Sequence, residues 1–201
     1  MIRAIAGILI AAVSAVAIAQ VPANPPVRIR GIVEKMDGQI MVVKARDGQS
    51  LSVKLADNYT VMGIAKASMA DLASGKYVGT TTVGERDGAL VALEVHIFAE
   101  SMRGLGEGHY DWDLRPTSKM TNASVANIVS MGKDRVLTVQ YKGGEKKILV
   151  NESTAVVSYA PAERGELKAG AQIFVTAERQ PDGSLGAARV NVGLNGQVPP
   201  M

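Results

Sequence analysis

The chain carries one unit written twice, and this repeat limits what it can fold into more than any other feature. Leu72-x-x-Gly75 recurs as Leu167-x-x-Gly170, and Asp87-Gly88-Ala89-Leu90 as Asp182-Gly183-Ser184-Leu185, at a constant offset of 95 residues. Upstream, Ile32-Val33 corresponds to Ile128-Val129, and the turn Asp47-Gly48 to Gly143-Gly144. A period this long marks a duplicated supersecondary unit whose copies bury apolar surface against each other. The copies run over 27–100 and 123–192, joined by 101–122.

Within each copy the hydrophobic period is two, which reads as strand. Val27, Ile29, Gly31 and Val33 alternate with Arg28, Arg30 and Ile32 in the first strand, and Asp37-Gly38 supplies a hairpin turn. Ile40 to Lys44 and Leu51 to Leu55 give the second and third strands. A short helix is expected over Ser68 to Ser74, with Ser68 as its cap, Asp71 in its first turn and Gly75 to stop it. Lys76 to Val83 and Leu90 to Phe98 complete the first copy. The second repeats the order, with a helical piece over Pro161 to Lys168 ended by Gly170 and strands over Gln172 to Ala177 and Leu185 to Val192. Strand, strand, strand, short helix, strand, strand is the order of an OB-like barrel, in which the helix plugs one end. The expectation is mainly β: two tandem small OB-like β-barrels, with an open meander or sandwich as the competing arrangement. About 70 residues are marginal for an independent core, so packing of the copies on each other, or homo-oligomerisation, is expected.

The first 19 residues read as a signal peptide. Arg3 gives the positive start, Ala4 to Val16 an apolar run, and Ala17-Ile18-Ala19 a small-x-small cleavage site. The run is short for a spanning helix, and retention as an uncleaved anchor is the lesser alternative. Residues 20–26, with Pro22, Pro25 and Pro26, form a Pro-rich lead-in, and 193–201, with Pro199-Pro200, read as a flexible tail. The expected location is periplasmic or secreted. Cysteine is absent, which removes disulfides, thiolate metal sites and Cys nucleophiles together.

Charge excludes a nucleic-acid partner. Without residues 1–19, 21 Lys and Arg face 19 Asp and Glu, and residues 27–100 hold nine of each sign. The second and third strands of the first copy contain no aromatic residue, and those of the second only Tyr141, so the stacking platform of single-strand binders is missing. A hydrolytic triad is equally unsupported: neither His96 nor His109 lies in a nucleophile motif. No enzymatic activity is expected.

Distinctive chemistry concentrates in 101–122. This Gly/aromatic linker holds Gly104, Gly106, Gly108, Tyr110 and the single tryptophan, Trp112. Long irregular connections are functional or flexible, and flexible ones rarely carry Tyr and Trp, so the segment is expected to dock. Tyr110 and Trp112, with Arg103 and Arg115, are the candidate contacts to a ligand or partner. Glu107, His109, Asp111 and Asp113 fall at every second position. On an extended segment they share one side, a donor set suited to a divalent metal such as Zn or Cu. The competing reading has Trp112 packed between the barrels and the charged side pairing with Arg103 or Arg115. His96, the only second imidazole, is expected to point outward, because Val91, Leu93, Val95 and Ile97 take the inward face. No cofactor is expected, with metal as the alternative.

The string Met102-Arg103-Gly104-x-Gly106-Glu107-Gly108-His109, followed by Trp112-Asp113-Leu114 and Met120-Thr121-Asn122-Ala123, resembles a family of uncharacterised exported proteins of Gram-negative bacteria. Their flanking repeats are OB-like domains of unknown function, and the resemblance covers nearly all of the chain after the signal. It implies no activity. Some members carry a metal-transporter permease label, which does not suit a chain lacking a second long apolar run. Asp111 stands where the family pattern commonly has Pro, so the Glu-His-Asp-Asp alternation is not implied by the resemblance. The sequence thus reads as an exported binding or interaction protein of the cell envelope, its partner a protein, envelope component or small ligand. A periplasmic metal-binding accessory is the alternative, and a periplasmic enzyme a remote third.

Overall fold

The computed structural model describes residues 25–201. The signal segment and most of the Pro-rich lead-in lie outside the described residues. Among those described there is no α-helix, and no helix is long and apolar enough to cross a membrane. Twelve strands follow in order: β1 (Val27–Asp37), β2 (Ile40–Ala45), β3 (Ser50–Lys66), β4 (Tyr77–Arg86), β5 (Ala89–Ile97), β6 (Gly108–Asp111), β7 (Lys119–Met131), β8 (Asp134–Tyr141), β9 (Gly144–Val150), β10 (Ala155–Pro161), β11 (Gln172–Arg179) and β12 (Leu185–Gly193).

Five of these close into a mixed barrel, and they do not come from one copy. β1, β2 and β3 form an antiparallel meander. β11 then pairs antiparallel with β1, Ile29 opposite Val175, while β12 runs parallel to β3, Leu185 beside Val53 and Val190 beside Val61. β11 and β12 pair with each other and complete the ring. Its interior is filled by Ile29, Val33, Met41, Val43, Val53 and Leu55 from the first copy and by Ile173, Val175, Ala177 and Val190 from the second. One barrel per copy is therefore corrected to one barrel shared between copies. The cause is the length of β3. The period-two reading stops it at Leu55, yet it continues to Lys66, roughly 55 Å of extended chain. The extension carries β4 and β5 away from the first meander.

β4 and β5 instead meet the second meander, β7–β8–β9. β4 pairs with β7, Val78 opposite Ala123, around a second core of Val78, Val95, Val125, Leu137, Val139 and Ile148. β5 touches β9 over just two residue pairs, Leu90 with Ile148 and Val91 with Leu149. The offset of 95 residues relates these pairs to Leu185–Val53 and Gly186–Lys54. Between the two cores, β10 runs antiparallel to the end of β3 and parallel to β5.

The repeat also shifts inside its first hairpin. Val33 faces Val43, whereas Val125 faces Val139, and both strands bulge just after these positions. The structural partner of Val33 is thus Val125, not Val129, and the second hairpin is four residues longer. Its extra length carries the exposed Val129 and Met131.

The two expected helices are single 3-10 turns, Met69–Asp71 and Arg164–Glu166. Three residues cannot repeat the α-helical bond, but the expected cap is present. Ser68 Oγ accepts from Ala70 N at 3.2 Å, and Ser68 N donates to Asp71 at 2.8 Å. Gly75 follows at φ +83°, in the left-handed region. Residues 193–201 are not a flexible tail. Met201 is 1% exposed and packs with Ile64, Val157 and Phe174, while Arg30 Nε and Arg46 Nη2 donate to the carbonyls of Met201 and Pro199. The apolar surface where the cores meet needs a cover, and this segment supplies part of it.

Candidate binding site between the two cores

Where the halves meet, a cavity of about 340 Å³ opens between β5, β10, β11 and β12, under the linker. Its walls are aromatic. Phe98 and Tyr159 stack at 5.2 Å with their planes 7° apart, and His96 meets each edge-on at 4.8 and 5.8 Å. From the opposite side Trp112 and Phe174 pack at 6.3 Å. A larger groove, about 870 Å³, lies over β3 and β12, lined by Lys54, Asp57, Glu178, Gln180 and Asp182 among others. It lacks an aromatic wall. The smaller cavity holds the more specific chemistry.

His96 is not outward in water. It is 3% exposed, and Glu94, two residues earlier on the same face, is 1% exposed. The correction has a simple physical basis: β5 is covered twice, by the second core on the Val95 face and by the junction on the His96 face. Thr81 donates its N–H at 3.1 Å and its hydroxyl at 2.6 Å to Glu94 Oε1. His96 Nδ1 lies 3.0 Å from Glu94 Oε2, and its Nε2 is directed away from that carboxyl. Nε2 rests over Gly79, where a Cβ would stand 2.0 Å from it and 2.5 Å from Asn122 Oδ1. Only glycine leaves room for the imidazole there. The repeat equivalent of Gly79 is Phe174, on the opposite wall.

Three residues of the cavity wall each carry a buried polar atom without a hydrogen-bond partner among the described residues: Trp112 Nε1, Asn122 Oδ1 and Asn191 Oδ1. Asn122 spends its amide N–H groups on Leu105 O and Tyr110 Oη, which leaves its oxygen toward His96. Asn191 is the repeat equivalent of His96, and Arg189 that of Glu94. Arg189 also lines the cavity, is exposed, and forms no ion pair among the described residues. Burial, then the nearby charge of Glu94, pushes the Tyr159 phenol well above its ordinary value, and Arg189 pulls the other way. Tyr159 stays protonated at neutral pH.

Of the contacts expected from the linker, Trp112 reaches this cavity. It docks as β6 pairs with β7 and lies beneath the guanidinium of Arg28, 4.0 Å from the ring centroid. Tyr110 packs behind it at 6.2 Å. Arg103 is engaged elsewhere, bonded to Glu100, Ser124 and the Gly75 carbonyl. The Arg115 side chain is exposed, and its main chain is held by Ser118.

Glu107, His109, Asp111 and Asp113 are not gathered into a donor set. Glu107 accepts from Lys142 N at 2.9 Å, His109 Nδ1 bonds Thr121 Oγ1 at 2.8 Å, and Asp111 pairs with Lys119 across the β6–β7 register. Asp113 pairs with Arg30 at 2.7 Å and Arg28 at 3.9 Å, in place of Arg103 or Arg115. Burial and the charges of Lys146 and Lys119 push the His109 imidazole below its usual value. Among the described residues no group of three or more His, Asp and Glu side chains is placed to hold a metal.

The sequence reading missed Glu94, His96, Tyr159, Phe174 and Asn191 as site residues. One signal pointed to Glu94 and His96: Ala89 to Phe98 is a nearly unbroken apolar run, the mark of a strand buried on both faces, so polar residues within it have a partner or a purpose. Comparison with protein-family models, curated proteins and solved structures returns no match.

Proposed function

We propose that this is an exported, non-enzymatic binding protein of the cell envelope whose ligand is a small ring compound held in the junction cavity beside Trp112. The observation that carries this reading is the cavity's mixture of aromatic walls and buried polar atoms left without partners. An unsatisfied buried donor or acceptor costs about 1–3 kcal/mol, and a bound ligand removes that cost. The volume lies near the lower end of ligand pockets, roughly 300–1,000 Å³, which suits one or two fused rings. No hydroxyl nucleophile bonds His96 among the described residues, which favours binding over nucleophilic catalysis.

The closed barrel's strand order, with a parallel β3–β12 pair, supports reading the duplicated unit as OB-like, its last two strands exchanged between copies. The export signal supports a periplasmic setting.

Trp112 is the only tryptophan, so its emission reports on this cavity alone. Titration with the uncharged bicyclic rings quinoline and 2-naphthol is expected to change it saturably. The change is lost in Ala188→Phe, which fills the cavity from an exposed position. An unsaturable response, or one that is the same in both proteins, contradicts the reading.

A further inference from the structure

We propose that the ligand class is a planar aromatic carboxylate that also carries a ring N–H. This rests on the junction cavity being the binding site and adds what the site selects. Asn122 and Asn191, both in the cavity wall, are 7% and 8% exposed, and each has a buried side-chain oxygen without a hydrogen-bond partner among the described residues. Both atoms are acceptors only, so a molecule that satisfies one of them brings a donor, here a ring N–H. Trp112 Nε1 is a donor only and requires an acceptor. Arg189 supplies a cation with no counter-charge at hydrogen-bonding distance among the described residues.

Arg189 lines the cavity, whereas Glu94 lies behind His96 and is not part of its wall. Glu94 is already surrounded by Thr81 and His96, so its charge is satisfied within the protein. Arg189 stands free on the same face of β12 as Asn191, since Val190 between them points into the barrel. The open electrostatic position is therefore for an anion, and a guanidinium prefers the planar oxygens of a carboxylate. The parallel Phe98–Tyr159 pair and the Trp112–Phe174 pair leave flat apolar walls for the ring system. The repeat explains why one such site exists. At the offset of 95 residues Arg189 and Asn191 stand where the first unit has Glu94 and His96, so the junction sets an arginine without an ion pair among the described residues beside an acid bonded within the protein.

The test is calorimetric titration of the protein with four probes: indole-3-acetate, indole, 1-naphthaleneacetate and tryptamine. Wild type is compared with Arg189→Gln at low ionic strength, where exposed charges are least screened. Indole-3-acetate is expected to bind most tightly. Losing the acid (indole) or the N–H (1-naphthaleneacetate) is expected to weaken binding about ten-fold each, as for loss of a charge-assisted or buried hydrogen bond. Tryptamine, with its cation, binds weakest. Arg189→Gln reduces indole-3-acetate binding to the level of indole and leaves indole unchanged. Arg189 is exposed, so the variant folds. Equal binding of tryptamine and indole-3-acetate overturns the proposal, as does indifference to Arg189→Gln or absence of indole-3-acetate binding. Uncharged rings that still bind in a way sensitive to Ala188→Phe leave the cavity reading standing while the acid specificity falls.

Discussion

His96 Nδ1 lies 3.0 Å from Glu94 Oε2, with both side chains almost wholly shielded from water and Thr81 completing the carboxylate's bonds. A buried pair of this kind adds little beyond an apolar substitute, yet removing one partner leaves the other orphaned. Glu94→Ala strands His96 Nδ1 and both Thr81 donors. It is expected to lower stability by about 3–5 kcal/mol in urea unfolding, against about 1 kcal/mol or less for an exposed acid such as Glu85→Ala. Equal effects from the two substitutions contradict the buried role.

The shared barrel makes each half dependent on the other. A fragment of residues 25–100 holds β1–β3 but lacks β11 and β12, leaving the edges of β1 and β3 open. Neither 25–100 nor 101–201 is expected to show a cooperative thermal transition alone, and mixing them restores it. A cooperative transition in the isolated first fragment would mean that each copy closes on itself.

Asp113 ties the linker to β1 of the barrel and gives stability a pH dependence. Burial pushes its carboxyl up, but the hydrogen bond from Arg30 and the charges of Arg30 and Arg28 outweigh this, and the net direction is down. A carboxylate held below its unfolded value, about 3.9, contributes stability above that pH and loses it as pH falls through the folded value. The stability difference between wild type and Asp113→Asn is expected to be constant from pH 7 to about 5 and to shrink below about pH 4. With Asp113 45% exposed, it stays within about 1 kcal/mol. A difference that grows on acidification contradicts the assignment.

Met201 packs against Phe174 and Val157, and its carbonyl holds Arg30 beneath the linker. Met201→Ala is expected to cost about 2–3 kcal/mol, toward the lower end for a buried methionine because the main-chain bond survives. A frayed segment would lose nothing measurable in denaturant titration.

How much of this was legible follows from what alternation encodes. Period two identified Ile29, Val33 and Val53 as one buried face, and Asp37-Gly38 and the Ser68–Asp71 cap are local features that the chain states directly. Partner choice is not local: Ile29 is equally suited to β4 or β11, and the continuation of β3 past Leu55, its ladder with β12 resuming at Thr60, decides it. His96 was misread for the same reason, since outward from one core was inward to the junction. In the linker, Trp112 was identifiable from composition alone, while its neighbours Phe174 and Asn191 come from a repeat that pattern places elsewhere.

The most direct measurement uses the one indole N–H resonance that a chain with a single tryptophan gives in a nitrogen-15 correlation spectrum. Adding indole-3-acetate is expected to shift that resonance saturably, as Trp112 Nε1 gains its missing acceptor, while the amide of Lys133 at the distant β7–β8 turn stays still. A Trp112 signal that does not move, or that moves no more than Lys133, would contradict a ligand site in the junction cavity.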